Sequence, residues 1–257
     1  MTDIRIMSFN VRIQTEGDRE QQFFYRAGFI AETLPGLHAD VIGLQELAPV
    51  MRAELVRRLP GYVFLGGGRD ADRLGESACI AVRQDRFLIE RVFTEILSPT
   101  PTVPGSTYGG DQSVCPRVLT TCDLMPVTGG RPFRIMNIHT DHIGREARRL
   151  EIRQMLSVYR EQQALRPMPT VITGDFNAMP HDAEMSEIMN DPEWKDFTSG
   201  IGGTFHGYGS VPPVKIDYIF GTDGWKVAAV FSPHLKKESL FLSDHDPVVA
   251  DLTLSDL

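Results

Sequence analysis

Short apolar runs, each leading into a polar motif, recur along the chain. Ile4–Val11 (IRIMSFNV) reads as a buried strand, as do Val41–Leu44, Tyr62–Leu65, Ala78–Val82, Val118–Leu124, Phe133–His139 and Thr170–Thr173. Helical spacing lies between them. A segment opening at Asp18 places Phe23, Ala27, Ile30 and Leu34 on one face, and Pro35-Gly36 is expected to stop it. Met51, Leu55 and Leu59 mark a second helix, closed by Pro60-Gly61. Gly144–Gln163 is predicted as a long helix with Ile152, Met155, Leu156 and Tyr159 in its apolar stripe, and a short helix follows from Asp182 with Met185, Ile188 and Met189 inward. Lys215–Phe220, Trp225–Phe231 and Pro247–Leu254 read as late strands. Trp225, Val227, Ala229 and Phe231 alternate, which predicts a single apolar face.

Two stretches break the pattern. Residues 66–77 (GGGRDADRLGES) are a loop between strands. Ser98–Pro116 is rich in Pro, Gly, Ser and Thr. An irregular segment of that length inside a domain is usually functional or mobile. Because Arg117 follows it, it is expected to close over substrate as a lid. Strands outnumber helices, and neither a repeat nor a linker interrupts them. The expected class is α/β (α+β), with mixed sheets covered by helices. One domain over residues 1–257 is expected, because polar motifs from both halves have to converge.

Composition narrows the setting. The chain has 257 residues, 42% of them hydrophobic, enough for a sizeable core. No apolar run is long enough to span a bilayer. The opening MTDIRIMSFNV enters a strand pattern without a basic, then apolar, leader. A cytoplasmic protein without a membrane anchor is the expectation. Cys79, Cys115 and Cys122 are odd in number and widely spaced, which fits reduced cysteines better than a disulfide framework or a zinc knuckle. The net charge of −8 repels polyanions, so nucleic acid is a possible but disfavoured partner. A small phosphate ester is compatible, since bound cations invert the local sign. Nothing in the pattern bears on oligomeric state.

The chemistry lies in six motifs: Ser8-Phe9-Asn10, Leu44-Gln45-Glu46, Asn137-Ile138-His139, Gly174-Asp175-Phe176-Asn177, Ile216-Asp217-Tyr218 and Ser243-Asp244-His245. Carboxylates, carboxamides and imidazoles at several strand ends are what a hydrolytic site needs to hold a hard divalent cation and activate water. Alternation puts Asp175 and Asn177 on one side and Phe176 on the other. The same tetrapeptide also suits an Asx-turn. Asp244 and His245 offer a carboxylate and an imidazole in a loop feeding a strand. Glu46 is either a metal ligand or a first-turn acid of the next helix. Asn10 is either a strand cap or a ligand-orienting amide. His139, Asp141 and His142 lack helical context and a nearby cysteine, so His139 reads as a phosphate-contacting acid rather than part of a zinc site. Asp217, inside an apolar strand, needs a metal or imidazole partner, or Lys215. Arg117 is placed to clamp a phosphate or to pair at a sheet edge. The basic cluster of Arg145, Arg148, Arg149 and Arg153 reads first as a solvated helix face.

In this order the motifs resemble the endonuclease/exonuclease/phosphatase superfamily, the DNase I-like fold. The resemblance covers Asn10 to His245. It implies a four-layer α/β sandwich, two stacked mixed β-sheets flanked by helices, with a Mg²⁺-dependent phosphoesterase site at one end and Mn²⁺ as a possible substitute. It further implies that Asn10, Glu46 and Asp244 hold the metal. Asp175, aided by Asn177, positions or deprotonates water. His245, oriented by Asp217, contacts the phosphate together with His139. Asn137 through His142, with Gly144, Ala147 and Arg148, and the Thr204-Phe205-His206-Gly207 segment, are similar to a bacterial group within the superfamily. That likeness adds Arg148 and His206 to Arg117, Asn177 and His139 as substrate-binding residues. The implied reaction is hydrolysis of a phosphodiester or phosphomonoester in a small substrate such as a nucleotide, sugar phosphate or short oligonucleotide. A nuclease acting on DNA or RNA is the second reading, and a catalytically silent phospholigand-binding module is the rival of another class.

Overall fold

Alternation along two central parallel strand pairs organises the molecule. The computed structural model describes residues 1–255. The first sheet is built from β1 (Thr2–Asn10), β2 (Val41–Leu47), β3 (Tyr62–Leu65), β4 (Ser77–Arg83), β11 (Trp225–Phe231) and β14 (Val248–Leu254), in the order β11-β14-β1-β2-β4-β3. The second is built from β5 (Phe87–Ile96), β6 (Val118–Pro126), β7 (Phe133–His139), β8 (Thr170–Asp175), β9 (Lys195–Asp196) and β10 (Asp217–Gly221), in the order β5-β6-β7-β8-β10-β9. A small ribbon, β12 (Lys236–Lys237) with β13 (Leu240–Phe241), stands apart. Each large sheet has one parallel pair, β1 with β2 and β7 with β8, and antiparallel neighbours elsewhere. A parallel pair needs a crossover. Helix α1 (Phe23–Gly36) supplies the first and α3 (Arg145–Leu165) the second, with α2 (Pro49–Arg58) and the short α4 (Ser186–Met189) beside them.

Three apolar clusters fill the spaces between layers. Met7, Phe9, Ile42 and Leu44 face α1 and α2 through Phe23, Ile30, Met51 and Leu55. Met136, Ile138 and Ile172 face α3 through Ile152, Met155 and Tyr159. Ile4, Ile6, Val41 and Ile80 of the first sheet meet Ile135, Val171 and Ile219 of the second. The arrangement is therefore helix, sheet, sheet, helix, the four-layer sandwich. Among the described residues no helix is long and apolar enough to cross a membrane.

The space between the sheets changes character along its length. Continuing the period of two from Ile4 and Ile6 puts Ser8 and Asn10 between the sheets. The same count from Ile135 delivers Asn137 and His139, and from Val171 it delivers Thr173 and Asp175. Asn137 ties the two sheets together. Its amide nitrogen donates to the Leu44 and Cys79 carbonyls, and its Oδ1 accepts from Gln45 Nε2 at 2.7 Å and Thr173 Oγ1 at 3.0 Å. Gly43 allows this approach, since a Cβ there would overlap the Thr173 hydroxyl. Beyond this polar rung the sandwich ends, and the remaining polar side chains of the same face open into a cleft.

Several expectations need correction. Residues Glu16–Gln21 form a separate 3₁₀ turn with a kink at Arg19, so α1 begins at Phe23 rather than at Asp18. Pro35 and Gly36 are its last two residues rather than the stop beyond it. β5 went unpredicted; it is an edge strand whose Leu88, Ile89 and Val92 are exposed and whose register shifts between Ile89 and Arg91, which erases the alternation. A shift between Val227 and Ala229 likewise breaks the single face expected of β11: Trp225 and Val230 reach the inter-sheet core, whereas Val227 and Ala229 are exposed. The three cysteines are unpaired.

Candidate active site

Seven of the candidate site residues expected from the sequence meet in one cleft. Glu46, Arg117, His139, Asp175, Asn177, Asp244 and His245 line it together with Arg12, Arg69, Glu76 and His142, around about 280 Å³ of space. Asn10 and Asp217 stand directly behind its wall.

One side is a chain of buried charges. Asp217 Oδ2 accepts from His245 Nδ1 at 2.8 Å and from Thr204 Oγ1 at 2.6 Å. The Lys215 partner weighed for Asp217 lies elsewhere, on Asp196 at 2.7 Å. His245 Nε2 is 3.7 Å from Asp175 Oδ2. Burial alone would favour the neutral ring, but Asp217 and Asp175 outweigh it and hold the His245 pKa well above that of a free histidine. Asp175 moves the other way from an ordinary carboxyl. Burial and the Asp217 charge push it up to about 7, against the opposing pull of His245. Its Oδ2 accepts from Asn10 Nδ2 at 2.9 Å and its Oδ1 from the Asn177 backbone N–H at 2.9 Å.

Beside it, Glu46 and Asp244 also line the cleft. Glu46 sits at a left-handed backbone (φ 62°), which turns its side chain out of the strand line into the cleft. It accepts from the Ile13 N–H at 2.7 Å and from Asn10 Nδ2 at 3.0 Å. Burial raises its pKa, but Arg12, the Ile13 N–H and Asn10 together hold it below the ordinary value. Asp244 is raised, by burial and by the Glu46 charge. Arg12 stands over both, with Nη1 4.0 Å from Glu46 and Nε 3.6 Å from Asp244. Two crowded carboxylate groups, both opening on the cleft, are the donor chemistry of a hard divalent cation. Glu46 and Asp244 therefore fit the Mg²⁺ that the resemblance implies.

Other assignments change. Asn10 turns its amide nitrogen, not its oxygen, toward Glu46 and Asp175, while its Oδ1 accepts from the Arg12 N–H. It aligns the two carboxylates. The Asn177 side chain does not assist Asp175; it donates to the Thr140 carbonyl and to His139 Nε2 at 3.0 Å. His139 is thereby an acceptor at Nε2. Burial and then Arg117 lower its pKa well below the usual value, so it is a neutral ring and not the acid expected. Arg148 is buried away from the cleft, donating to Glu184 at 2.6 Å and to the Asp141 carbonyl at 3.1 Å. Glu184 satisfies its charge, so it braces the loop rather than binding substrate. His206 lies outside the lining as well, packed against His234 and Phe241.

Arg117, by contrast, reaches the cleft. Its Nη2 donates to His142 Nδ1 at 2.9 Å, and its buried Nε has no hydrogen-bond partner among the described residues. The expected lid before it is fastened at several points. Asp111 caps α3 by accepting from the Glu146 and Ala147 N–H groups, Tyr108 donates to Gln154, and Ser113 bonds to Asp141. Arg12 and Arg69 were missed. Arg69 lies in the irregular loop 66–77 and Arg12 just past the buried strand Ile4–Val11, and only the fold shows them turned inward. The one local signal was the position of Arg12 two residues past the Asn10 strand end.

Glu151 lies behind this wall, fully buried, and accepts from the Asp141 N–H at 2.7 Å. Burial pushes its pKa up from 4.5 to about 8. The folded chain then holds a proton that the unfolded chain has released, so stability from this group is fully present below pH 4.5 and is lost as pH rises to about 8. Glu151→Gln, which mimics the protonated form, is expected to raise stability above pH 8 by a few kcal/mol, at about 1.4 kcal/mol per pKa unit. Chemical denaturation at pH 5 and pH 9 checks this: the gain appears only at the higher pH.

Stacked mixed sheets with a cleft of carboxylates and imidazoles at one end define the class, a phosphoesterase-type α/β sandwich. The model of the endonuclease/exonuclease/phosphatase family matches residues 7–245, and the chain belongs to that family. Among solved structures, it is similar to an endonuclease/exonuclease/phosphatase from Bacteroides vulgatus, with 30% identity, a TM-score of 0.91, and coverage of 99% of this chain and 100% of that one. It is also similar to a mannosyl-6-phosphatase of Bacteroides thetaiotaomicron, with 26% identity, a TM-score of 0.88, and 98% and 100% covered. The catalytic domain of human nocturnin shares the fold at 20% identity and a TM-score of 0.75, with 98% and 94% covered. No curated protein matches the sequence. Members of the family are generally hydrolases of phosphate esters, and the fold usually works with a divalent metal.

Proposed function

We propose that this protein is a Mg²⁺-dependent hydrolase of a small phosphate ester, a sugar phosphate being the favoured substrate. The observation that carries the reading is the Asp217–His245–Asp175 chain, whose His245 and Asp175 line a single cleft together with Glu46 and Asp244. Glu46 and Asp244 would hold the metal, which when bound polarises the phosphoryl group and steadies the leaving oxygen. Asp175, with a pKa of about 7, takes a proton from the attacking water. His245 stays cationic because Asp217 holds Nδ1, so its Nε2–H donates to a phosphoryl oxygen whose charge is growing. Arg12 and Arg117 add positive charge to the walls. His139 stays neutral and, fixed by Asn177, closes the floor.

The size and lining favour a small substrate. About 280 Å³ accommodates a phosphate with a compact alcohol. Phe205 is the one Phe, Tyr or Trp in the lining, so the cleft lacks the stacked aromatics with which single-stranded nucleic acid is gripped. The net charge of −8 acts in the same direction. The mannosyl-6-phosphatase among the similar structures supports the sugar-phosphate reading. A turnover panel of hexose phosphates, nucleotides, bis-p-nitrophenyl phosphate and single-stranded oligonucleotides, with Mg²⁺, Mn²⁺ or chelator, tests it. Highest kcat/KM is expected on a hexose phosphate, and chelator abolishes it. Preference for oligonucleotides would transfer the assignment to a nuclease, and no turnover on any member would leave a binding module.

A further inference from the structure

Three metal-binding groups outside the cleft face one another where the late loops meet. His206, His234 and Asp246 present ligand atoms that all lie within 4.8 Å of one another. They come from separate segments. His206 follows Phe205, which bridges to both Val214 and His245; His234 sits between β11 and β12; Asp246 leads into β14. Asp246 stands in the middle, with its carboxylate oxygens 3.0 Å from His234 Nδ1 and 3.4 Å from His206 Nε2. His206 is 3% exposed, and its ring packs on His234 and Phe241 with centroids 4.9 and 5.3 Å away. Its Nδ1 has no hydrogen-bond partner among the described residues, and Nε2 has only the long approach to Asp246. The nitrogen that faces Asp246 is Nε2, and with no shorter contact than this 3.4 Å approach its lone pair is available to an ion. None of these three residues lines the cleft.

We propose that His206, His234 and Asp246 form a second metal site, for a transition-metal ion of the zinc class. Two imidazoles and one carboxylate suit Zn²⁺, Co²⁺ or Ni²⁺, whereas Mg²⁺ prefers oxygen ligands. Tetrahedral bonds of about 2.0–2.2 Å place donor atoms roughly 3.4 Å apart. The separations of 3.0 and 3.4 Å need only small side-chain movements to meet that. The His234 side chain is 54% exposed, which gives an ion a route in and leaves its outer position open to water. Bound there, the ion clamps the loop after β11 to the segment that carries Asp244 and His245. It is distinct from the Glu46–Asp244 centre in ligand type as well as place.

The test uses the full chain, stripped with chelator and returned to excess Mg²⁺ so that the carboxylate centre is filled. Co²⁺ titration is followed by its visible d–d band, and Zn²⁺ titration by calorimetry. One equivalent of Co²⁺ or Zn²⁺ per chain is expected to bind despite the Mg²⁺. His234→Ala, at a half-exposed position with little bearing on the core, should weaken that binding at least ~100-fold and remove the band. Asp246→Asn should act in the same direction, and Glu46→Gln should leave the binding unchanged. Equal binding by wild type and His234→Ala overturns the proposal, as does absence of binding in Mg²⁺. Loss in Glu46→Gln but not in His234→Ala would place the ion in the cleft and overturn it too.

Discussion

Asp175→Asn lowers kcat/KM by about 10³-fold, within the range for losing a positioned general base. The expectation rests on what surrounds this carboxylate. It is buried, its neighbour Asp217 is negative, and its pKa is pushed up to about 7, so it is a far better proton acceptor than an exposed aspartate. Its two oxygens are oriented by the Asn10 amide and the Asn177 N–H, so the base does not have to be organised during the reaction. The sign of the pH dependence follows. Asp175 must be ionised to act, so wild-type kcat/KM declines as pH falls through about 7, approaching tenfold per unit. Because Asp175 and His245 interact, that limb belongs to the pair, and a bound divalent cation draws it lower. The asparagine variant loses the limb along with the rate. Steady-state pH profiles with and without the substitution, and a melting curve to show that the fold persists, decide the matter. Activity within about tenfold of wild type, with the acid limb intact, would assign the base elsewhere.

The residues that were legible in the sequence share a physical origin. Strands β1, β2, β7 and β8 are buried on both faces, so they read as apolar runs, and the polar residues that interrupt them at a period of two had to lie between the sheets. That is why Asn10, Asp175 and His139 could each be read as a polar strand-end residue with chemistry to offer, without knowing their partners. Glu46 was legible as a residue type but not as a geometry, since its left-handed backbone is invisible to alternation. Side chains carried by loops and helix faces were not separable. Arg117 and Arg148 are both buried arginines near polar motifs, yet one opens on the cleft and the other is neutralised by Glu184, 36 positions along the chain. A pairing at that separation leaves no local mark. Arg12 shows the converse: it became part of the site because Glu46 and Asp244 arrive from elsewhere. β5 and β11 escaped full description for a different reason. Each is an edge strand with a register shift, and one extra residue inverts the faces on which the reading depends.

Glu46→Gln removes divalent-ion binding at the cleft and reduces turnover by an amount comparable to loss of the base, about 10²–10³-fold. Glutamine preserves volume and an acceptor oxygen for the Ile13 N–H but gives up the second oxygen that accepts from Asn10 Nδ2, so the change is one of charge and of one hydrogen bond. In the absence of metal, the Glu46 charge helps raise the pKa of Asp244, and Arg12 at 4.0 and 3.6 Å relieves the crowding only in part. Removing the Glu46 charge costs the metal-free fold some stability, because Arg12, the Ile13 N–H and Asn10 together hold this carboxyl below its ordinary pKa, so each protein is compared with itself, with and without Mg²⁺. The part of the cost that reports on the metal appears when Mg²⁺ is added. An ion that binds only the folded chain stabilises it by RT ln(1 + [L]/Kd), about 2.7 kcal/mol at a concentration of 100 times Kd. Wild type should thus melt at a higher temperature in excess Mg²⁺ than in chelator, while Glu46→Gln should melt at the same temperature in both. This readout does not depend on having found the substrate. A Mg²⁺-dependent rise in melting temperature that survives Glu46→Gln would mean that the ion is held without Glu46, and a flat response in wild type would mean that these carboxylates do not bind it at all.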